Sequence, residues 1–403
     1  MLQHLKAIQI SPSVYWVGAI DWGVRNFHGY ATNRGTTYNA YLIMADKITL
    51  VDTVKHGFID EMMSRIASIV DPSKIDYIIS NHAEPDHSGE LPNVIKAVNP
   101  EKVFASTMGV KALSEHFRNM DYAITPVKEG DTLSLGNMTI AFMETRMLHW
   151  PDSMFSYLVE EKILFSQDAF GMHLASSERF DHELPWELMH RQARDYYANI
   201  ITLYSPHVLK LIEKVAASGL EFKVIAPDHG PVWSDMNLFG KLLESYKNWA
   251  SRKLTHKAVI VYDTMWHSTE IMANYIADGI KSCGVKVETM PLASCSRSDI
   301  ADEMIDAAAI IVGAPTLNNN IYPSVADAMT YIRGLKFMTP YSAAFGSYGW
   351  SGESVKQVRE YLESMNTEIL GEVKSKYVPD ENVLKECFEL GVKVAEKIKE
   401  NIK

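Results

Sequence analysis

The stretch Ile78-Ile79-Ser80-Asn81-His82-Ala83-Glu84-Pro85-Asp86-His87-Ser88-Gly89 runs an apolar segment into a loop with two histidines and two carboxylates within six residues. A short apolar run bounded by polar residues reads as a strand, and a strand end is where a rigid scaffold presents functional groups. The spacing is H-x-E-x-D-H. Alternate residues leaving a strand share a face, so His82, Glu84 and Asp86 are expected to converge while His87 points elsewhere, with Pro85 stiffening the loop. A solvated turn would explain one or two such residues. Four potential ligands at this spacing favour a metal site.

One loop cannot fill a coordination sphere, so further ligands are expected from other strand ends. Three candidates stand at such boundaries: His149 in Met147-Leu148-His149-Trp150-Pro151-Asp152-Ser153, Asp168 after Ile163-Leu164-Phe165-Ser166-Gln167, and His229 in Pro227-Asp228-His229-Gly230. Alone, His149 reads as a packed structural histidine and Asp168 as a helix cap. His4, His56, His116 and His256 have no comparable setting and are given no role.

Outward from this loop, short apolar runs at 14–17, 40–44, 48–51 and 77–79 read as strands. Helical patterns at 58–69, 91–98 and 110–118 lie among them, so residues 1–250 are expected to form an α+β sandwich. The polar, basic stretch 251–256 reads as a linker. Beyond it, apolar runs at 258–262, 285–290, 307–312, 341–345 and 368–373 alternate with helical segments. That pattern predicts a doubly wound α/β parallel sheet over 257–403.

Bulk properties narrow the function classes. Of 403 residues, 39 are basic and 50 acidic, giving a net charge of −11, which argues against non-specific nucleic-acid binding. The three cysteines form no C-x-x-C pair, which suggests a reducing compartment. No signal peptide or membrane-length apolar run appears, so a cytoplasmic protein with no membrane partner is expected.

A second constellation lies at the carboxyl edge of the predicted parallel sheet. After its first strand come Thr264, Met265, Trp266, His267, Ser268 and Thr269, leading into a helix. Hydroxyls and free amides at a helix N-terminus suit a phosphate, although a hydroxyl-rich cap without ligand is the alternative. Pro315, Thr316, Leu317, Asn318 and Asn319 follow the third strand. Ser347, Tyr348, Gly349, Trp350, Ser351 and Gly352 follow the fourth, where Trp350 or Tyr348 could stack on a flat ring.

The first constellation resembles the metallo-β-lactamase fold, an αββα sandwich with a two-metal site at strand ends. In hydrolytic members the loop reads H-x-H-x-D-H and usually holds zinc; here Glu84 replaces the middle histidine. Three carboxylates mixed with imidazoles suit iron as well as zinc, which opens redox chemistry. The resemblance implies one metal on His82, Glu84 and His149, the other on Asp86 and His229, and Asp168 bridging. It leaves His87 open as a further ligand, and implies His28 and Tyr197 as neighbours of the site.

The second constellation resembles the flavodoxin family, whose three loops hold FMN. His267 departs from the glycine common at that position. A metallo-β-lactamase-like domain followed by a flavodoxin-like one resembles the flavodiiron (A-type flavoprotein) family across the whole chain. Phrases such as Gly35-Thr36-Thr37-Tyr38-Asn39-Ala40-Tyr41-Leu42 and Asp168-Ala169-Phe170-Gly171 resemble in particular the deazaflavin-dependent (coenzyme F-420) oxidases of methanogens.

That resemblance implies an oxidoreductase with FMN and two non-haem iron ions. A reduced deazaflavin would give a hydride to FMN, FMN would pass electrons to the iron pair, and four electrons would turn dioxygen into two waters. Nitric oxide, reduced to nitrous oxide, is the family's other substrate. A head-to-tail homodimer or dimer of dimers is implied, and with no C-x-x-C pair the donor is expected to be diffusible. A zinc hydrolase tethered to a flavodoxin module is the rival reading.

Overall fold

Successive residues of one strand separate two hydrophobic cores. Ile78, Leu42, Leu50 and Val103 pack in one core with Met62, Ile66, Leu91, Val94 and Leu113. Their neighbours Ile79, Tyr41, Ile43, Val51 and Phe104 pack in a second core with Phe142, Leu158, Ile163 and Phe165. The period of two in a strand accounts for this division. The computed structural model describes residues 5–119 and 121–402, so His4 lies outside it. Two units form. One comprises the chain up to Tyr196 together with Pro206–Lys247, the other Tyr197–Ser205 and the chain from Asn248 onward.

The first unit contains a seven-stranded sheet ordered Ile8–Gln9, Val14–Trp16, Tyr41–Ile43, Thr49–Val51, Tyr77–Ser80, Lys102–Ser106, Ile124–Val127. Its partner is a five-stranded sheet ordered Thr132–Ser134, Thr139–Glu144, Met154–Leu158, Ile163–Gln167, Val224–Pro227. The second core fills the space between the two. Helices Ile59–Ala67, Leu91–Val98 and Thr107–His116 cover the outer face of the larger sheet. Tyr77–Ser80, Ile163–Gln167 and Val224–Pro227 all end where candidate ligands begin.

The second unit holds a five-stranded parallel sheet ordered Lys286–Pro291, Thr255–Tyr262, Ala307–Gly313, Tyr341–Tyr348, Glu368–Lys376. This 2-1-3-4-5 order has its switch point at the first strand, and ligands bind outside the carboxyl ends of such strands. Because the first strand begins at Thr255, the stretch read as linker, 251–256, gives its last two residues to the sheet.

Helices Ser268–Ser282 and Glu381–Asn401 pack on one face through Met272, Ile276, Ile280, Leu390, Val394 and Ile398. Glycine is required where they touch. A Cβ on Gly279 would stand 2.1 Å from the Phe388 carbonyl oxygen, and one on Gly391 2.2 Å from that of Ile276. Among the described residues, no helix is long and apolar enough to cross a membrane.

Candidate functional site

The ligand loop leaves its strand at Ser80 and does not continue extended. Pro85 fixes the first turn of a short helix, Pro85–Ser88, with Glu84 as its N-cap residue. Gly89 follows because a Cβ there would stand 2.3 Å from the Pro85 carbonyl oxygen. The helical turn replaces strand alternation. His87 therefore points inward beside Asp86, correcting the expectation that it faces away.

Two groups result: His82, Glu84, His149 and Asp168, and beside them Asp86, His87 and His229. All seven are at most 6% exposed, so their arrangement is fixed by the fold rather than by solvent. Asp168 spans the groups. Its Oδ2 lies 3.1 Å from His149 Nε2 and 3.3 Å from His82 Nε2, while its Oδ1 lies 3.2 Å from His87 Nε2 and 3.4 Å from His229 Nε2. Glu84 Oε2 is 3.2 Å from both His82 Nε2 and His149 Nε2, and Asp86 Oδ2 is 3.1 Å from His229 Nε2.

Outer hydrogen bonds hold these groups. Gln167 Nε2 donates to the Leu148 carbonyl at 2.7 Å, and Gln167 Oε1 accepts the Asp168 N–H at 2.8 Å, tying the loops of His149 and Asp168 together. His229 Nδ1–H donates to the Thr37 carbonyl at 2.6 Å, which leaves Nε2 as a lone pair facing the carboxylates. His82 Nδ1–H donates to Asp152 Oδ2 at 3.0 Å with the same consequence.

Burial and charge oppose each other throughout. Burial alone would raise Glu84, but His149, His28 and His82 hold it well below the usual carboxylate range. Asp168 is likewise held low against its burial, chiefly by His87 and His149. Burial alone would lower His149, yet the Asp168 and Glu84 carboxylates raise it to about 9. Buried His173, beside His229, is instead pushed well below its ordinary value by desolvation.

These residues fit a pair of cations. Three buried carboxylates face four imidazoles, and among the described residues neither Asp86 oxygen, both of them buried, has a hydrogen-bond partner. Buried charge of this density is stable when paired or metal-bound. Oxygen and nitrogen donors together suit iron.

The structure also places residues around the groups. His28 Nε2 meets Glu84 Oε1 at 2.7 Å, as expected of a neighbour of the site. Tyr197 is a correction: its hydroxyl pairs with Ser205 Oγ at 2.9 Å and its ring tilts against Trp249. The adjacent Tyr196 lies near the cluster, its ring 5.0 Å from that of His173 and 6.2 Å from that of His229. Tyr196, His173 and Asp152 escaped sequence reading because none falls in a ligand-like spacing. Asp152, three residues after His149, was the most accessible of the three.

In the second unit, a cleft of about 560 Å³ opens at the carboxyl edge of the parallel sheet. It is lined by Met265, Trp266 and Ser268, by Pro315 to Asn319, by Ser347 to Ser351, and by Tyr377 and Val378. The last two follow the fifth strand, a loop left out of the sequence reading. Thr264, His267, Thr269 and Gly352 do not line it. Thr269 Oγ1 instead meets Ser347 Oγ at 2.9 Å beneath the surface.

His267 has φ +67°, which explains why glycine is favoured at its position. FMN fits this cleft. Ser268, the first residue of helix Ser268–Ser282, lines it, which puts a helix N-terminus with a hydroxyl at the cleft, as a phosphate requires. The indoles of Trp266 and Trp350 are each 86% exposed at the mouth, large apolar surface that a flat ring would cover.

Comparison with known proteins covers both units. Residues 36–230 match the family described as ODP family beta lactamase, and residues 260–391 match flavodoxin. The solved rubredoxin oxygen:oxidoreductase of Desulfovibrio gigas superposes with a TM-score of 0.95 and 44% identity, over 98% of this chain and 99% of that one. The nitric oxide reductase of Moorella thermoacetica is 41% identical over 98% of this chain and 99% of its own length. The coenzyme F-420 oxidase of Methanothermobacter marburgensis is also 41% identical, again over 98% and 99%. The chain belongs to the flavodiiron protein family of oxidoreductases, with a metallo-β-lactamase-like domain before a flavodoxin-like one, and membership implies FMN and a diiron centre.

Proposed function

We propose that this flavodiiron oxidoreductase takes electrons from a reduced deazaflavin and reduces dioxygen to water. The observation that carries the reading is the division of the Asp168 carboxylate between the two ligand groups, 3.1 Å from His149 on one side and 3.2 Å from His87 on the other. On this reading His82, Glu84 and His149 would hold one iron and Asp86, His87 and His229 the other, with Asp168 shared between the two groups. FMN would be held in the cleft lined by Trp266 and Trp350, with Ser268 available to its phosphate. Residues 1–250 then serve as the iron domain and 257–403 as the FMN domain, in a head-to-tail homodimer.

When bound, FMN would supply exchange between two-electron and one-electron chemistry, and the iron pair would supply the redox site for the gas. Two deazaflavin molecules supply the four electrons that one dioxygen needs to become two waters. The protein's own groups position and protonate. His28, about a third exposed and bonded to buried Glu84, is placed to carry protons inward from solvent. The rings of Phe27, Tyr30 and Tyr196 pack around buried His173. The relative named for coenzyme F-420 and the phrases at 35–42 and 168–171 support the donor.

A second reading has its own observation: the relative named nitric oxide reductase is as similar as the one named for coenzyme F-420. Steady-state consumption of each gas with reduced deazaflavin and with reduced rubredoxin separates the two. We expect the highest kcat/KM for dioxygen with deazaflavin. A higher value for nitric oxide favours the second reading, and turnover with rubredoxin alone overturns the deazaflavin donor.

A further inference from the structure

We propose that Asp152 is a positioning residue that fixes His82 and makes the position formed by His82, Glu84 and His149 the more firmly held of the two metal positions. This rests on the ligand reading above. Asp152 is buried, and its Oδ2 accepts both the His82 Nδ1–H at 3.0 Å and the Ala83 N–H at 2.6 Å. Its backbone carbonyl accepts the Ser106 hydroxyl at 2.7 Å, and Ser106 also caps the helix Thr107–His116. The carboxylate is thereby anchored to the ends of strands Tyr77–Ser80 and Lys102–Ser106, immediately before strand Met154–Leu158.

An anionic acceptor on one ring nitrogen makes the other a stronger, better-aimed metal donor. His82 Nε2 accordingly faces Glu84 and Asp168 with its lone pair.

The second group lacks such support. His229 donates to a neutral carbonyl, that of Thr37. Among the described residues His87 Nδ1 has no hydrogen-bond partner; Asp228 Oδ2 is 3.5 Å away, too long for a firm bond. The imidazoles on that side therefore lack the anionic acceptor that sharpens His82, and are the weaker donors to their metal.

The test is anaerobic iron release from the FMN-replete, iron-loaded protein into an excess of a coloured ferrous chelator. Wild type is expected to release one equivalent quickly and one slowly. Asp152→Asn and Asp152→Ala should speed the slow phase roughly 10–100-fold, with FMN content unchanged and with Asp152→Glu restoring part of the retention. An unchanged slow phase in both variants, or single-phase release of both irons from wild type, overturns the proposal. The wild-type result decides even if a variant does not fold. Wild type that takes up fewer than two irons overturns the ligand reading itself, which is a distinguishable outcome.

Discussion

Asp168 concentrates the chemistry of the iron site in one side chain. Asp168→Ala removes the carboxylate shared by the two groups, so oxygen turnover should fall by at least about 100-fold while FMN content is kept. Iron analysis and oxygen-electrode rates check this, and retained turnover contradicts the bridging role. His149 gives a pH dependence. Its folded value near 9 lies above the ordinary ~6.5. In metal-free protein its ion pair therefore contributes stability that is full below about 6.5 and lost as pH rises through 9.

Iron competes with that proton, so apparent iron affinity should rise across the same window, as metal titrations at stepped pH would reveal. An affinity flat with pH would contradict it. At this scale the sequence was most legible where ligands cluster, at 82–87. Legibility failed where a side chain's direction depended on local backbone, as with His87, or on one position along a helix, as with Tyr196 and Tyr197.

Elements position these residues, and two devices decide how well. Close approach of helices Ser268–Ser282 and Glu381–Asn401 depends on Gly279 and Gly391, whose added Cβ atoms would meet backbone. Gly279→Ala should push the helices apart and destabilise the flavodoxin-like unit by about 1–3 kcal/mol. A thermal melt followed by flavin release checks it, and an unchanged midpoint refutes it. The loop after the fourth strand carries the second device. Trp350→Ala removes an exposed indole from the cleft mouth and should weaken FMN by about 0.5–1.5 kcal/mol or shift its spectrum; unchanged affinity and spectrum would count against stacking. Strands were readable from alternation and apolar runs. The contribution of Tyr377 and Val378 was not, because a loop's place in a cleft is set by sheet order, which no local pattern encodes.

Across the whole molecule, two independent patterns gave the fold away. The first part of the chain mixes strands and helices irregularly and the remainder largely alternates them, matching the two sandwiched sheets and the 2-1-3-4-5 sheet. Donor and gas are less legible, since they depend on surfaces and small differences in binding energy rather than on a motif. The most direct test of the central claim mixes the anaerobic protein, loaded with FMN and two irons, with excess reduced deazaflavin and then a limiting pulse of dioxygen. The account predicts two deazaflavins oxidised per dioxygen with no hydrogen peroxide; a one-to-one ratio with peroxide, or no oxidation by this donor, would contradict it.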